Sequence, residues 1–276
     1  MTILTAHEMG HFLQARRYHV PATWPFFLPV PFPPFGTFGA VIQMDSRIPN
    51  LRALFDIGIS GPLAGLIPTL IFLVVGVGLS TVSPSDPALL KEGILFGDPL
   101  LFQWVTHLFF GAEISGPDQI LHLHPIGMAA WTGLFITSLN LIPLGQLDGG
   151  HVFYALLRRK AHFWTSAIYY GILAFIVLAG RWEWIVMVIL LTLIGIHHPP
   201  TGNDAVPLGK IRTILGILTL AFILIGFTPN PISETEPPPK EKPKPLYSGK
   251  ENAVPEWEPF GRDLAMNHPL DREGIK

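Results

Sequence analysis

The chain has 276 residues, of which 49% are hydrophobic and only 14% are charged, a composition typical of a membrane protein, because soluble domains carry about a quarter charged residues. The net charge of −2 provides no basic surface for nucleic acid, so we expect no nucleic-acid partner. There is no cysteine, which excludes disulfides and thiolate metal sites, so any transition metal must be bound by His, Asp or Glu.

The first predicted element is a helix over residues 1–15. At about 1.5 Å per residue this helix is only ~22 Å long, shorter than the ~30 Å hydrocarbon core of a bilayer. We therefore expect it to be truncated at its amino terminus. Five further apolar segments are candidates for transmembrane helices: residues 57–80, 125–147, 163–180, 184–196 and 213–227. The pattern predicts about six spans, or five if residues 184–196 are re-entrant or interfacial.

The basic residues indicate how these spans are oriented. Arg16, Arg17, Arg47 and Arg52 all lie between the first and second spans. Because basic residues are concentrated in cytoplasmic loops, we expect this loop to face the cytoplasm. We predict an integral protein of the cell (inner) membrane, with the lipid bilayer as its surroundings. The candidate site described below should lie nearer the cytoplasmic side.

Irregular segments separate the spans. Residues 24–34 are rich in Pro and Phe and cannot be helical. Residues 35–44 combine glycine hinges with strand-forming residues, which predicts a short membrane-embedded β-hairpin or a re-entrant strand. Residues 100–110 are predicted to form an interfacial helix. From residue 229 onward Pro, Glu and Lys dominate, which predicts a disordered tail.

The expected fold class is an all-α polytopic membrane protein with about six transmembrane helices, this hairpin and a broken third helix. We divide the chain into a transmembrane core (1–160), which carries the candidate catalytic motifs described next, additional transmembrane helices (161–228) and the Pro-rich tail (229–276).

The sequence His7-Glu8-Met9-Gly10-His11 fits the pattern H-E-x-x-H. On a helix, the two histidines lie one turn apart on the same face, so both imidazoles can reach one metal ion, and the glutamate beside them can take a proton from the attacking water. The alternative is a solvated helix surface. The apolar flanks favour the metal site, because an ionisable glutamate at membrane depth is costly unless it is paired or functional.

Asp148 is the candidate third ligand. It follows Pro143 and Gly145, which interrupt the helical path of the third span, and such breaks are tolerated at membrane depth only where they are buried or line a polar cavity. Counting from the nearest arginines places the two histidines roughly 8–14 Å, and Asp148 roughly 15 Å, above the inner interface. The alternative role for Asp148 is a helix N-cap.

The other polar candidates are weaker. Asn140 either hydrogen-bonds the scissile carbonyl, as an oxyanion donor does, or satisfies the broken helix. His151 is more simply a histidine on a helix surface than a group that supports the ligands. Residues 61–65 have the spacing of close helix contacts, so we interpret them as packing that helps to shape the site. Four further histidines are expected near the membrane boundaries: His122, His124, His197 and His198.

Taken together, these motifs resemble the site-2 protease family of intramembrane zinc metalloproteases. The resemblance covers about residues 1–160 and is carried by residues 7–11, 35–42, 61–65 and 140–149. It implies one zinc ion bound by His7, His11 and Asp148, with Glu8 as the base. It further implies that the strand around residues 38–44 lies in the membrane near the site and pairs with the substrate backbone.

We therefore predict a zinc metalloendopeptidase that hydrolyses peptide bonds in or near the transmembrane segments of membrane-anchored protein substrates, with Glu8 and Asn140 as catalytic residues. The alternative is a catalytically inactive membrane protein that binds transmembrane clients, which has no need of Glu8. A metal transporter is the third reading. It predicts ionisable residues along several spans, whereas here they cluster at one depth.

Overall fold

The fold is mainly helical. The computed structural model describes residues 1–29, 37–45, 47–84, 94–111 and 119–234. The helices are α1 (Thr2–Arg17), α2 (Leu51–Gly78), α3 (Leu100–Phe110), α4 (Pro125–Asn140), α5 (Asp148–Leu157), α6 (Lys160–Ala179), α7 (Ile185–Ile194), α8 (Lys210–Ala221) and α9 (Ile223–Gly226), with a 3₁₀ turn at Trp182–Trp184. The strands are β1 (Phe26–Pro29), β2 (Thr37–Val41), β3 (Thr81–Pro84), β4 (Ile94–Phe96), β5 (Gln119–His122) and β6 (Ile232–Glu234).

The strands form three small antiparallel sheets of two strands each, which pair β1 with β2, β3 with β5 and β4 with β6. In the first sheet Phe26 lies opposite Val41 and Phe27 opposite Ala40. The strand predicted within residues 35–44 is present as β2. The predicted hairpin lay within residues 35–44, but the strand that pairs with β2 is β1, which lies in the Pro- and Phe-rich stretch 24–34. The described part of this stretch, residues 24–29, is not helical, as predicted, and the extended backbone of β1 is compatible with proline at the end of a strand.

Helix α2 is the central helix. Near its amino-terminal end, Leu54 and Phe55 are fully buried and pack in one core cluster with Val152 and Tyr154 of α5. Asn50 caps this helix, because its side chain accepts a hydrogen bond of 3.0 Å from the backbone N–H of Ala53. The apolar surface shared by α2 and α5 therefore holds together two segments that are almost a hundred residues apart in sequence.

The predicted break in the third span is present. Helix α4 ends at Asn140, and α5 begins at Asp148. Between them, the backbone N–H of Gly145 donates a hydrogen bond of 2.9 Å to the carbonyl of Ile196. Gly145 has a φ of +52°, and a Cβ there would overlap the carbonyl of Gly195, so both backbone conformation and space require glycine.

Two of the described helices, Leu51–Gly78 and Lys160–Ala179, are long and apolar enough to cross a membrane. The count of six spans is not confirmed. Helices α1 and α4 have 16 residues each, or about 24 Å, and α7 has only 10. The helix expected at residues 100–110 is present as α3. Most of the tail predicted to be disordered, residues 235–276, lies outside the described residues.

Candidate metal centre

Helix α1 carries both histidines of the H-E-x-x-H motif into the interior. The residues His7 and His11 are only 5% and 6% exposed, and their rings lie 4.9 Å apart between centroids. The neighbouring helix α2 makes room for them with glycine. A Cβ at Gly61 would overlap the His11 ring, and a Cβ at Gly65 would lie 3.1 Å from the His7 Cβ. The motif at residues 61–65 therefore does more than pack helices, because it provides the space that the two imidazoles occupy.

Asp148 reaches this histidine pair from the start of α5. Its Oδ2 lies 3.1 Å from His7 Nε2, and its Oδ1 lies 3.2 Å from His11 Nε2. The two Nε2 atoms are 3.2 Å apart. The alternative role as an N-cap is not observed, since the cap position belongs to Leu147 and makes no side-chain capping bond. The structure thus brings together three side chains that are 141 positions apart at their widest.

These distances fit a tetrahedral zinc site. Zinc binds imidazole nitrogen and carboxylate oxygen at about 2.0–2.1 Å, which places two ligand atoms of a tetrahedron about 3.3 Å apart. The three separations at the site are 3.1, 3.2 and 3.2 Å. Among the described residues, this is also the one group of three or more His, Asp or Glu side chains whose ligand atoms gather within 4.8 Å. The donor set and its spacing both suit a single zinc ion.

A backbone carbonyl fixes the protonation of His11. Its Nδ1–H donates a hydrogen bond of 2.7 Å to the carbonyl of Ile57 on α2. A neutral imidazole protonated at Nδ1 carries its lone pair on Nε2, and this Nε2 faces the Asp148 carboxylate. A lone pair and a carboxylate oxygen in such close contact repel each other unless a proton or a metal ion lies between them. The carbonyl therefore prepares His11 to be a ligand, as hydrogen-bonded partners of metal-binding histidines commonly do.

Glu8 lies next to this group on the same helix. The backbone N–H of Ile42, which directly follows β2, donates a hydrogen bond to the Glu8 carboxylate. The end of the hairpin and the proposed base are therefore in direct contact. Asn140, at the end of α4, also lies beside the group, with its Nδ2 at 3.5 Å from His7 Nε2. Both predicted catalytic residues are thus close to the three candidate ligands.

A network of charged and polar side chains joins three helices beside the site. The Arg212 guanidinium donates two hydrogen bonds to Asp56, of 2.7 and 2.8 Å, and the Tyr18 hydroxyl donates one of 2.5 Å. These three residues come from α8, α2 and the end of α1. Because Asp56 directly precedes Ile57, the network holds the turn of α2 whose carbonyl contacts His11.

The weaker histidine candidates occupy different environments. His122 is exposed and hydrogen-bonds to Ser83, and the His124 side chain accepts a hydrogen bond at the start of α4. The expected surface position of His151 is wrong, because its half-buried ring packs against His198, with 4.8 Å between centroids. A Cβ at Gly58 would overlap His151, so α2 approaches this ring too closely to leave it on a surface.

Asp204, in the loop between α7 and α8, hydrogen-bonds to Tyr154, whose ring packs against His198. It accepts hydrogen bonds of 2.7 Å from the Tyr154 hydroxyl and 2.6 Å from the Thr201 hydroxyl. Burial alone raises the pKa of the Asp204 carboxyl, but the hydrogen bonds from Thr201 and Tyr154 outweigh burial and hold that pKa below its ordinary value.

Sequence reasoning missed the backbone contributions to the site. The Ile57 carbonyl and the Ile42 amide have no signature in the side-chain pattern, because every residue carries these groups. The spacing of small residues at 61–65 was the one available signal that α1 and α2 approach closely, and it did not reveal that the space is filled by imidazole rings.

Comparisons with known proteins agree with this geometry. The family model described as "Peptidase family M50" matches residues 1–180. The chain is 31% identical over 235 residues to "Probable zinc metalloprotease EGY1, chloroplastic" of Oryza sativa subsp. japonica, which covers 83% of this chain and 39% of the relative. It is 30% identical over 236 residues to "Probable zinc metalloprotease EGY2, chloroplastic" of Arabidopsis thaliana, covering 84% of this chain and 41% of the relative. No solved structure gives a significant match. The chain thus spans about two fifths of the length of these relatives.

Proposed function

Because the chain belongs to peptidase family M50, we propose that it is a zinc-dependent endopeptidase that cuts membrane-anchored proteins within or beside their transmembrane segments. The observation that carries this proposal is the meeting of His7, His11 and Asp148 at tetrahedral spacing with Glu8 beside them. A hydrolase needs such a combination, because three protein ligands leave the fourth zinc position open and a base lies within reach of it.

His7, His11 and Asp148 would hold the ion. Zinc, when bound, supplies the Lewis acidity that activates water and polarises a carbonyl group. Glu8 then acts as the general base, taking the proton of the attacking water and returning it to the leaving amine. The N–H of Ile42 holds the Glu8 carboxylate in position. We assign Asn140 the task of orienting the scissile carbonyl, because its side-chain amide donor lies beside the ligand group, at 3.5 Å from His7 Nε2.

The substrate must present an extended backbone. A transmembrane helix hides its peptide bonds in internal hydrogen bonds, so it has to unwind locally before attack. Strand β2 pairs with β1 along one edge and leads directly to Ile42, which contacts Glu8. We propose that an unwound substrate adds to the other edge of β2 by β-augmentation, which replaces the hydrogen bonds lost on unwinding.

The basic residues at the end of α1 indicate how the chain is oriented in the membrane. Arg16 and Arg17 occupy the last turn of α1, so the end of the helix that follows the H-E-x-x-H motif carries positive charge. The positive-inside rule places this end in the cytoplasm. We propose an integral protein of a cell (inner) membrane, with six spans and the catalytic site nearer its cytoplasmic face.

The test uses the full chain in phospholipid vesicles with a model transmembrane peptide as substrate. We expect one zinc ion per chain and cleavage by the wild type. Glu8→Gln should retain zinc but lose cleavage by at least about 100-fold, since a positioned acid–base group contributes 10²–10⁴-fold. Asp148→Ala should lose both zinc and cleavage. A second peptide with a helix-destabilising Gly-Pro pair should be cut faster than the first.

Glu183→Gln is the matched control, because Glu183 is an exposed carboxylate paired with Arg181 away from the site. Cleavage by Glu8→Gln at the wild-type rate would remove Glu8 from the mechanism. Peptide binding without cleavage by the wild type would favour the inactive client-binding protein, and transport of zinc across the vesicle membrane would favour the transporter.

A further inference from the structure

A second histidine pair lies one helical turn from the metal centre. His151 on α5 and His198 in the loop after α7 have ring centroids 4.8 Å apart and an interplanar angle of 82°. The candidate ligand pair His7 and His11 has 4.9 Å and 71°. The two pairs therefore share their separation and their edge-to-face orientation, although the second pair comes from different elements.

The nitrogen atoms of this second pair are available to a metal. His198 Nδ1–H donates a hydrogen bond to the carbonyl of Pro199, which leaves the lone pair of the neutral ring on Nε2. His151 Nδ1 is buried and has no hydrogen-bond partner among the described residues. A buried nitrogen without a partner is costly in a folded protein and calls for an explanation such as an intermittently bound ion.

Two more histidines extend the pair to the surface. His162 Nε2–H donates a hydrogen bond of 3.0 Å to the carbonyl of His198, and its ring lies 5.1 Å from the ring of His197. His197 is exposed. The ring of Tyr154 packs against the rings of both His162 and His198, at 5.7 and 4.9 Å between centroids. The four histidines thus form a row, in the order His197, His162, His198 and His151, that runs from solvent to the residue one turn after Asp148.

A metal ion needs a path from solvent to the buried candidate ligands. His7 and His11 are 5% and 6% exposed, and the Asp148 side chain is 13% exposed. An ion must exchange its water for protein ligands on the way in, and a metal site requires an entry path. Imidazole is the neutral side chain that best replaces the water ligands of zinc.

We propose that this histidine row is a metal-loading route, in which His198 and His151 together bind a divalent transition metal transiently before it reaches the centre. The proposal rests on the proposed function, because it takes His7, His11 and Asp148 as the destination. The row does not store the ion. In the described part of the chain, only the centre gathers three or more ligand atoms within 4.8 Å, and a two-histidine site without a carboxylate binds more weakly.

The test measures the rate of zinc uptake by the full chain in lipid nanodiscs. Protein stripped with a chelator is mixed with Zn²⁺, quenched at intervals with excess chelator, and analysed for zinc per chain. His198→Phe keeps an aromatic ring against Tyr154, which stacks on His198 at 4.9 Å. We expect this variant to reach the same final zinc content, with uptake slowed by about tenfold or more, similar to effects of residues that support metal ligands.

His107→Phe is the matched control, because His107 is an exposed histidine in the last turn of α3, and it should load zinc at the wild-type rate. Uptake by His198→Phe at the wild-type rate would overturn the route. An Asp148→Ala variant that keeps the wild-type zinc content would instead overturn the proposed function. The two failures are therefore distinguishable.

A second measurement keeps the proposal testable if His198→Phe folds poorly. In the His11→Phe/Asp148→Asn background, which removes the centre, Cu²⁺ added in equimolar amount should give an electron paramagnetic resonance spectrum with two imidazole nitrogens. Adding His151→Gln should leave coupling to at most one imidazole nitrogen. A spectrum without nitrogen coupling in the starting background would overturn the proposed pair.

Discussion

The helices around the candidate ligands and the helices farther along the chain pack in opposite ways. At the crossing of α1 and α2, a Cβ at Gly10 would overlap the Ser60 carbonyl, and a Cβ at Gly61 would overlap the His11 ring. On α6, a Cβ at Gly171 would meet nothing within 4 Å. Between α6 and α7 lies an apolar cavity of about 250 Å³. The crossing of α1 and α2 thus has no room for an added methyl group at these glycines, whereas α6 has room at Gly171.

This difference indicates where the structure needs accuracy. Ligand atoms of a zinc site must be held within a few tenths of an ångström, so the helices that carry them are packed through glycine against backbone and imidazole. On α6, Gly171 faces open space, so an added methyl group meets no neighbour there. Sensitivity to a single added methyl group should therefore be high where α1 crosses α2 and low at Gly171.

The strongest test of this comparison is Gly61→Ala. The added methyl group has to displace the His11 ring, whose Nε2 is a candidate ligand. We expect zinc affinity to fall by about 100-fold, the upper range for disturbed support of a metal ligand, in a chelator-competition assay. Gly171→Ala is the same substitution where space is open, and it should bind zinc like the wild type. Unchanged affinity in a folded Gly61→Ala variant would contradict the link between packing and ligand geometry.

The next largest effect should come from the network that joins α8 to α2. Arg212→Met keeps the apolar stem but leaves the Asp56 carboxylate, whose side chain is 13% exposed, without its two guanidinium bonds. We expect a loss of about 2 kcal/mol in the free energy of unfolding, measured by detergent-induced denaturation. Lys210→Met removes a nearby exposed cation and should change stability little. Equal effects of the two variants would show that overall charge, and not the network, is responsible.

A smaller effect is expected at the Asp204 loop. Because its folded pKa is lowered, Asp204 contributes stability that is fully present above the ordinary Asp pKa of about 3.9 and is lost as pH falls through the folded value. Asp204→Asn should cost about 1 kcal/mol at pH 7 and should flatten the fall in thermal stability below about pH 4. Parallel pH profiles for wild type and variant would contradict this assignment.

The smallest expected effect is a gain. Gly171→Ala should stabilise the protein by about 0.5–1 kcal/mol, because alanine loses less backbone entropy than glycine in a helix. Gly76→Ala is the same substitution at a crowded position, because its Cβ would overlap the backbone of Gly127. It should lower the free energy of unfolding. If both variants have the same sign in denaturation experiments, packing does not decide the effect.

The sequence was sufficient for much of the site because its signals are local. The i, i+4 spacing of His7 and His11 and the interrupted helix before Asp148 are visible in short stretches, and the family resemblance they supported is confirmed. The partner strand β1 was missed because a Pro- and Phe-rich stretch has no strand alternation. The pair of His151 with His198 was missed because the two residues come from different elements, and no local pattern records such a contact.

One backbone hydrogen bond has a consequence for how independently the family-matched region can work. The match ends at residue 180, yet Gly145, in the turn that delivers Asp148, donates its N–H to Ile196. The turn before the candidate third ligand, Asp148, is therefore held by a segment outside the matched residues. A fragment that stops at residue 180 would retain all three candidate ligands but lack this hydrogen bond, so we expect it to hold Asp148 less firmly.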